Sequence, residues 1–485
     1  MNSTRQNSRR ERRGFRVPQI SVWSVAMTCA LALGVPGPAS AADATDPGFF
    51  TGLFGDSRGN LLGDIGGLRT SLGNHGISFG LSETSELLGN LSGGVRRGFE
   101  YDGLTTASVQ VDTGKAFGWD GGTFNVSALQ IHGRNLSADN LSNLQTASGI
   151  ESSRTTRLWE LWYEQQFLDG DLTTKVGQQS VDQEFMSSAN SALYLNTMMG
   201  WPMLPSADLY AGGPAYPLSS PGVRFKAQPA KSWTMLAGVF DDNPPGGPFS
   251  DDSQLRGREA SGTVFNLGTG ALVMGEVQYA INQPALGDMA TAEQKSGLPG
   301  TYKLGFWYDT AAYPDQRYDT NGVSLASGAS NGIARTDRGN FSVYALMDQT
   351  IWHADPNDPQ SISFFARAMG APGDRNLIDF SLNMGFNLKA PFAGRDDDTV
   401  GIGYGIAKVG SGATGLDRDT GAPTPVRSVE HFVEVTYQYQ VAAWWQVQPD
   451  FQYVFNPGAG ILNPNSRSER LGDEAIIGVR TNITF

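Results

Sequence analysis

In the stretch 430-EHFVEVTYQYQ-440, Val433, Val435, Tyr437 and Tyr439 fall on one side and Glu434, Thr436, Gln438 and Gln440 on the other, because successive residues of a strand point to opposite faces. The pattern returns in 445-WQVQPDFQYVF-455, where Trp445, Val447, Phe451, Tyr453 and Phe455 oppose Gln446, Gln448, Asp450 and Gln452. In 475-AIIGVRTNITF-485, Ile477, Val479, Ile483 and Phe485 oppose Arg480, Asn482 and Thr484. Two architectures suit such strands. A soluble β-sandwich buries the apolar face in a core; a transmembrane barrel turns it to lipid and lines water with the other. Strand length of about ten residues, aromatics near strand ends and a closing Phe485 favour the barrel.

Residues 1–42 read as a secretory signal peptide. Arg5, Arg9, Arg10, Arg12, Arg13 and Arg16 precede an apolar run from Val17 to Val35, and Ala39-Ser40-Ala41 offers a cleavage site. Removing its six arginines and one glutamate takes the formal charge from −13 to −18, leaving no basic stripe for nucleic acid. Cys29, the only cysteine, lies inside the signal, so the mature chain has no thiol, disulfide or cysteine metal site. No later apolar run reaches about 18 residues, which excludes helical membrane spans. The expected fold class is all-β: a transmembrane antiparallel β-barrel.

The expected organisation is a signal peptide (1–42), an N-terminal periplasmic segment (43–76) with a short helix over Leu61–Arg69, and the barrel (77–485). Counting strand candidates gives sixteen if 262–281 is one strand bulged near Gly268-Thr269-Gly270, and a barrel with both termini in the periplasm needs an even number. Short turns alternate with long connections at 132–155, 182–221, 241–261, 310–339, 410–428 and 456–473. The connection from Asp182 to Pro221 carries Trp201, Tyr210 and Tyr216. Since a sixteen-stranded barrel leaves an open channel, and loops this long are usually functional, it is expected to fold inward as a constriction.

Parity assigns the lumen. From Thr156 to Leu168, Trp159, Leu161, Tyr163 and Phe167 take the lipid face, turning Glu160, Trp162 and Glu164 inward. The same reasoning turns in Arg224, Lys226, Lys303, Trp307, Asp309 and Arg367, and on the closing strands Glu434, Gln448, Asp450 and Arg480. The candidate substrate-binding groups are Glu160, Trp162, Glu164, Arg224, Trp307, Arg367 and Arg480. Carboxylates and guanidiniums hydrogen-bond hydroxyls, and an indole offers its face to the C–H face of a sugar ring. The plainer reading is that lumen charges pair across the wall and the indoles pack beneath a loop.

Catalysis has little to work with. A nucleophile needs a base, and His75, His132, His353 and His431 have no evident serine and acid partners; no catalytic residue, cofactor or histidine-rich metal site is expected. Acids at Asp241-Asp242, Asp251-Asp252 and Asp396 to Asp398 have calcium-binding chemistry, but solvated turns are the simpler reading.

Several motifs occur in order: 62-LGDIGGLR-69, 161-LWYEQ-165, Leu195-Asn196, 220-SPGVR-224, 394-GRDDD-398 and 448-QPDFQY-453 with 456-NPG-458. Together they are similar to those of the carbohydrate-selective porins of the OprB family. Departures are Asp64-Ile65, where the family usually has an aromatic after the Asp, and Arg395-Asp396, where a Pro commonly follows the Arg. The resemblance implies a sixteen-stranded outer-membrane porin for passive uptake of mono- or oligosaccharides. Expected partners are carbohydrate solutes, outer-membrane lipid and lipopolysaccharide, and the assembly machinery through Phe485, with the chain a monomer or a trimer. A general or ion-selective porin is the first alternative, a barrel-based surface binding protein the second.

Overall fold

The computed structural model describes residues 58–246, 261–283, 297–355 and 358–485; the signal peptide and Asp251-Asp252 lie outside them. Among these residues the chain runs through β1 (Ile77–Ser92), β2 (Gly98–Asp112), β3 (Gly122–Gly133), β4 (Thr155–Phe167), β5 (Leu172–Gln179), β6 (Ser220–Ala230), β7 (Trp233–Asp241) and β8 (Ala271–Ile281). It continues through β9 (Gly300–Asp319), β10 (Ala334–His353), β11 (Ser361–Gly370), β12 (Ile378–Lys389), β13 (Thr399–Val409), β14 (Val429–Ala442) and β15 (Trp445–Phe455). A small hairpin, β16 (Leu462–Asn463) and β17 (Ser466–Arg470), precedes β18 (Glu474–Thr484). The hairpin stands apart; the other sixteen strands close antiparallel into one barrel, β18 pairing with both β15 and β1.

Alternation is realised on the closing strands. Val435, Phe451, Ile477 and Val479 are exposed outward, whereas Glu434, Gln448, Gln452 and Asn482 are buried inside. One rim carries the short connections together with the N-terminal helix Leu68–Asn74. There Leu61 N donates to the Thr484 carbonyl (2.7 Å), and Arg69 donates to the carbonyls of Phe79 (3.0 Å) and Phe485. The opposite rim carries the long connections.

Four expectations change. The helix starts at the end of the 61–69 motif, because Gly63, Ile65, Gly66 and Gly67 all have positive φ, which an α-helix cannot include. The strand expected from Gly262 begins only at Ala271, so sixteen is the right count without a bulge at 268–270. Residues 261–262 instead cross to β4 and β5, where Leu158 N donates to the Ser261 carbonyl (3.0 Å) and Gln178 Nε2 to the Gly262 carbonyl (2.9 Å). Much of 310–339 is strand, since β9 and β10 run on past the long-connection rim. Finally, β4 is bulged: Ser127 pairs with Glu160 and Ala128 with Leu158. Trp159 is skipped and turns into the barrel, 5 % exposed, rather than to lipid.

Candidate functional site

The connection between β5 and β6 turns inward. Its apolar side chains, among them Phe185, Met186, Leu195, Met199, Trp201 and Leu204, are buried in the main core cluster. Burial of that kind requires partners for the backbone, and the far wall supplies them. Arg367 on β11 donates to the carbonyls of Met186 (2.8 Å), Gly200 (3.0 Å), Met199 (3.1 Å) and Met198. Glu434 on β14 accepts from the amides of Leu195 and Asn196. Glu276 on β8 accepts from Met186 N (2.9 Å), Asp348 on β10 from Ser188 Oγ (2.6 Å), and Gln448 on β15 donates to the Leu193 carbonyl (2.6 Å). The loop is thus tied to strands across the lumen. The 134–154 connection joins it: Glu430 accepts from the amides of Leu144 (2.8 Å) and Gln145 (2.7 Å).

Between these loops and the wall of β1, β4 and β18 a cavity of about 190 Å³ remains. Thr84, Arg480 and Asn482 line its polar side; Trp159, Tyr216, Tyr194 and Trp201 line its aromatic side, with Asp182 and Gln183 between. Trp159 and Tyr216 meet edge to face at 6.4 Å, and the indole N–H of Trp159 is buried with no hydrogen-bond partner. Tyr216 is held by its hydroxyl on the Ile150 carbonyl (2.9 Å) and by its amide on Asp182 (3.0 Å).

Of the seven residues expected from the sequence, four gather on the inner wall of β4 and β6. Arg224 donates to Glu164 and to loop residue Glu184 (2.9 Å), and Glu160 accepts from Trp162 Nε1 (3.2 Å) and Ser180 N (3.0 Å). Burial opposes charge on Glu184, but Lys175 and Arg224 outweigh it and hold its pKa below the ordinary glutamate value. One face of Trp162 is already covered, by Lys175 Nζ at 4.5 Å. Arg480 lines the cavity, paired with Glu86. The other two are corrected. Trp307 is fully buried and presents no open face, and Arg367, 1 % exposed, anchors the loop instead of lining an eyelet.

Parity missed Trp159 because a bulge reversed it, and missed Tyr216 because loop residues have no parity. Of the acids weighed for calcium, Asp398 and Asp241 hold turns: Asp398 accepts from Arg395 (2.7 Å) and the Gln440 amide (2.9 Å), and Asp241 from Asn266 (2.9 Å) and the Asn243 amide (3.0 Å).

Residues 96–485 match the family model described as carbohydrate-selective porin, OprB family. Porin B of Pseudomonas aeruginosa is 29 % identical over 455 residues, covering 89 % of this chain and 92 % of that protein. The putative porin QuiX of Acinetobacter baylyi is 25 % identical over 452 residues, covering 88 % and 93 %. Among solved structures, the high-pH form of Pseudomonas putida OprB superposes with a TM-score of 0.76 at 23 % identity, over 89 % of this chain and 100 % of that one. That likeness is one of fold.

Proposed function

Because the chain belongs to the OprB family of carbohydrate-selective porins and forms an outer-membrane channel through which sugars diffuse passively, we propose that the solute passes between the wall at Thr84, Asn482 and Arg480 and the aromatic corner of Trp159 and Tyr216. The bulge that turns Trp159 inward, beside a cavity the loops leave open, is the observation that carries this reading. Arg480 and Asn482 offer hydrogen bonds to hydroxyls, and the indole supports the opposite C–H face. Below, Glu160, Trp162 and Glu164 form a second polar surface along the exit, with Arg224 buried behind them.

A neutral polyhydroxylated solute fits best, because the bases of this path already have acids: Arg480 has Glu86, and Lys175 and Arg224 have Glu184 and Glu164. Release requires weak occupancy. Planar-bilayer conductance with added glucose or maltose tests it. Sugar should reduce the ion current, and Trp159→Ala should weaken that block about tenfold, roughly 1.4 kcal/mol. A current indifferent to sugar but strongly ion-selective would instead support an ion channel on the same fold.

A further inference from the structure

Outward residues of the barrel are mostly apolar, as lipid requires, but on β1–β3 the outer face carries a polar network. Glu83 shares the outward parity of Leu87, yet accepts from Ser85 Oγ (3.0 Å) and Thr105 and is 5 % exposed. The hydroxyl of Tyr101, also outward, lies 2.9 Å from Ser85 Oγ and 3.2 Å from His132 Nε2. His132 Nδ1 in turn lies 2.8 Å from Gln130 Oε1. Gln130 and, on the next strand, Thr156 are themselves exposed. Lipid tails offer such groups nothing, whereas another amphiphile or chain can bond them.

Arginines gather at the long-connection rim of the same strands. Arg96 reaches Glu100 at 2.7 Å, Arg134 reaches it at 3.7 Å, and Arg134 also reaches Asp139 at 2.8 Å. Arg97 and Arg154 are exposed, with no carboxylate partner among the described residues. Arg134 N bonds the Tyr101 carbonyl (2.7 Å), and Arg154 precedes the Ile131–Thr155 pair, so the cluster crowns this face. Four guanidiniums therefore meet two carboxylates, a local positive excess in a chain of formal charge −13.

We propose that the outer wall of β1–β4 binds a phosphorylated glycolipid of the outer leaflet. The guanidiniums take its phosphates, for which their planar fork is suited. Phe99 and Tyr101, 54 % and 46 % exposed, cover the acyl chains. The Gln130–His132 network meets the amide and hydroxyl groups that an N-acylated, 3-hydroxyacylated glycolipid carries beneath its headgroup. A glycerophospholipid matches the arginines but not this lower layer, since its ester linkages bring no donors.

The experiment counts lipid on the detergent-purified full barrel by native mass spectrometry, using lipid A with and without its phosphates. Wild type should hold the phosphorylated form about tenfold better. The triple variant Arg97→Gln, Arg134→Gln, Arg154→Gln should lose that preference, with sugar conductance unchanged. Equal retention of the two lipids by wild type, or an undiminished preference in the variant, overturns the proposal. So does a second copy docked on this face, detected by cross-linking through Gln130→Cys in the outer membrane. If the variant fails to fold, the wild-type comparison of the two lipids decides.

Discussion

Arg367 is a buried cation whose hydrogen bonds go to carbonyls of one loop and to Asn383. Removing it leaves several buried carbonyls without donors, a loss on the order of 3 kcal/mol, and loosens the segment from Met186 to Gly200. Arg367→Met should therefore raise single-channel conductance and weaken sugar block together, with a lower heat-modification midpoint on gels. Arg367→Lys should not restore the block, because one ammonium cannot serve the spread of carbonyls that a guanidinium fork reaches. Trp307→Phe, by contrast, should leave sugar block unaltered. Parity identified both side chains as inward but says nothing of what lies over them, and what lies over Arg367 is a segment 167 to 181 residues away in sequence. A third residue adds a pH effect. Burial pushes Glu151, in the 134–154 connection, up to about 7 from an ordinary value of 4.5. A raised carboxyl favours the protonated folded form, so stability is lost as pH climbs from the ordinary value and levels off above about 7. Glu151→Gln should flatten that part of the melting-temperature profile.

The β4 bulge depends on a segment from elsewhere in the chain. β4 extends past the end of β5, whose pairing with it stops at Leu161–Gln178, and Ser261 and Gly262 cover the bare edge. Gly262 has φ +68°, and a Cβ there would lie 1.8 Å from the Leu158 carbonyl oxygen. Gly262→Ala should thus cost more than the about 1–2 kcal/mol of left-handed strain alone and release the segment. Faster hydrogen exchange at the Leu158 amide is the measurement. The closing strands themselves were readable: β15 begins and ends where the alternation from Trp445 to Phe455 begins and ends, because it has lipid on one side and lumen on the other. Where that contrast fails, so does the reading. β9 and β10 continue beyond the membrane, where neither face is lipid, and at Trp159 a single extra residue reverses the pattern.

Closure of the barrel and narrowing of its lumen are separable. The β5–β6 ladder runs unbroken from Leu172–Ala227 to Gln179–Ser220, so neither strand needs the connecting loop for its register. The wall groups that bind the loop, Glu276, Asp348, Arg367 and Glu434, line a space that water would fill if the loop were gone, and solvation would replace the bonds they lose. Replacing residues 183–214 by a short Gly-Ser linker should consequently yield a folded, heat-modifiable barrel with a wider pore. Conductance should rise several-fold, as expected of an unobstructed sixteen-stranded channel, and block by glucose or maltose should vanish because the cavity loses Tyr194 and Trp201 and Trp159 faces bulk water. Were conductance and sugar block both unchanged, the constriction would have to lie elsewhere, and the wall cluster of Glu160, Trp162, Glu164 and Arg224 would be the place to look.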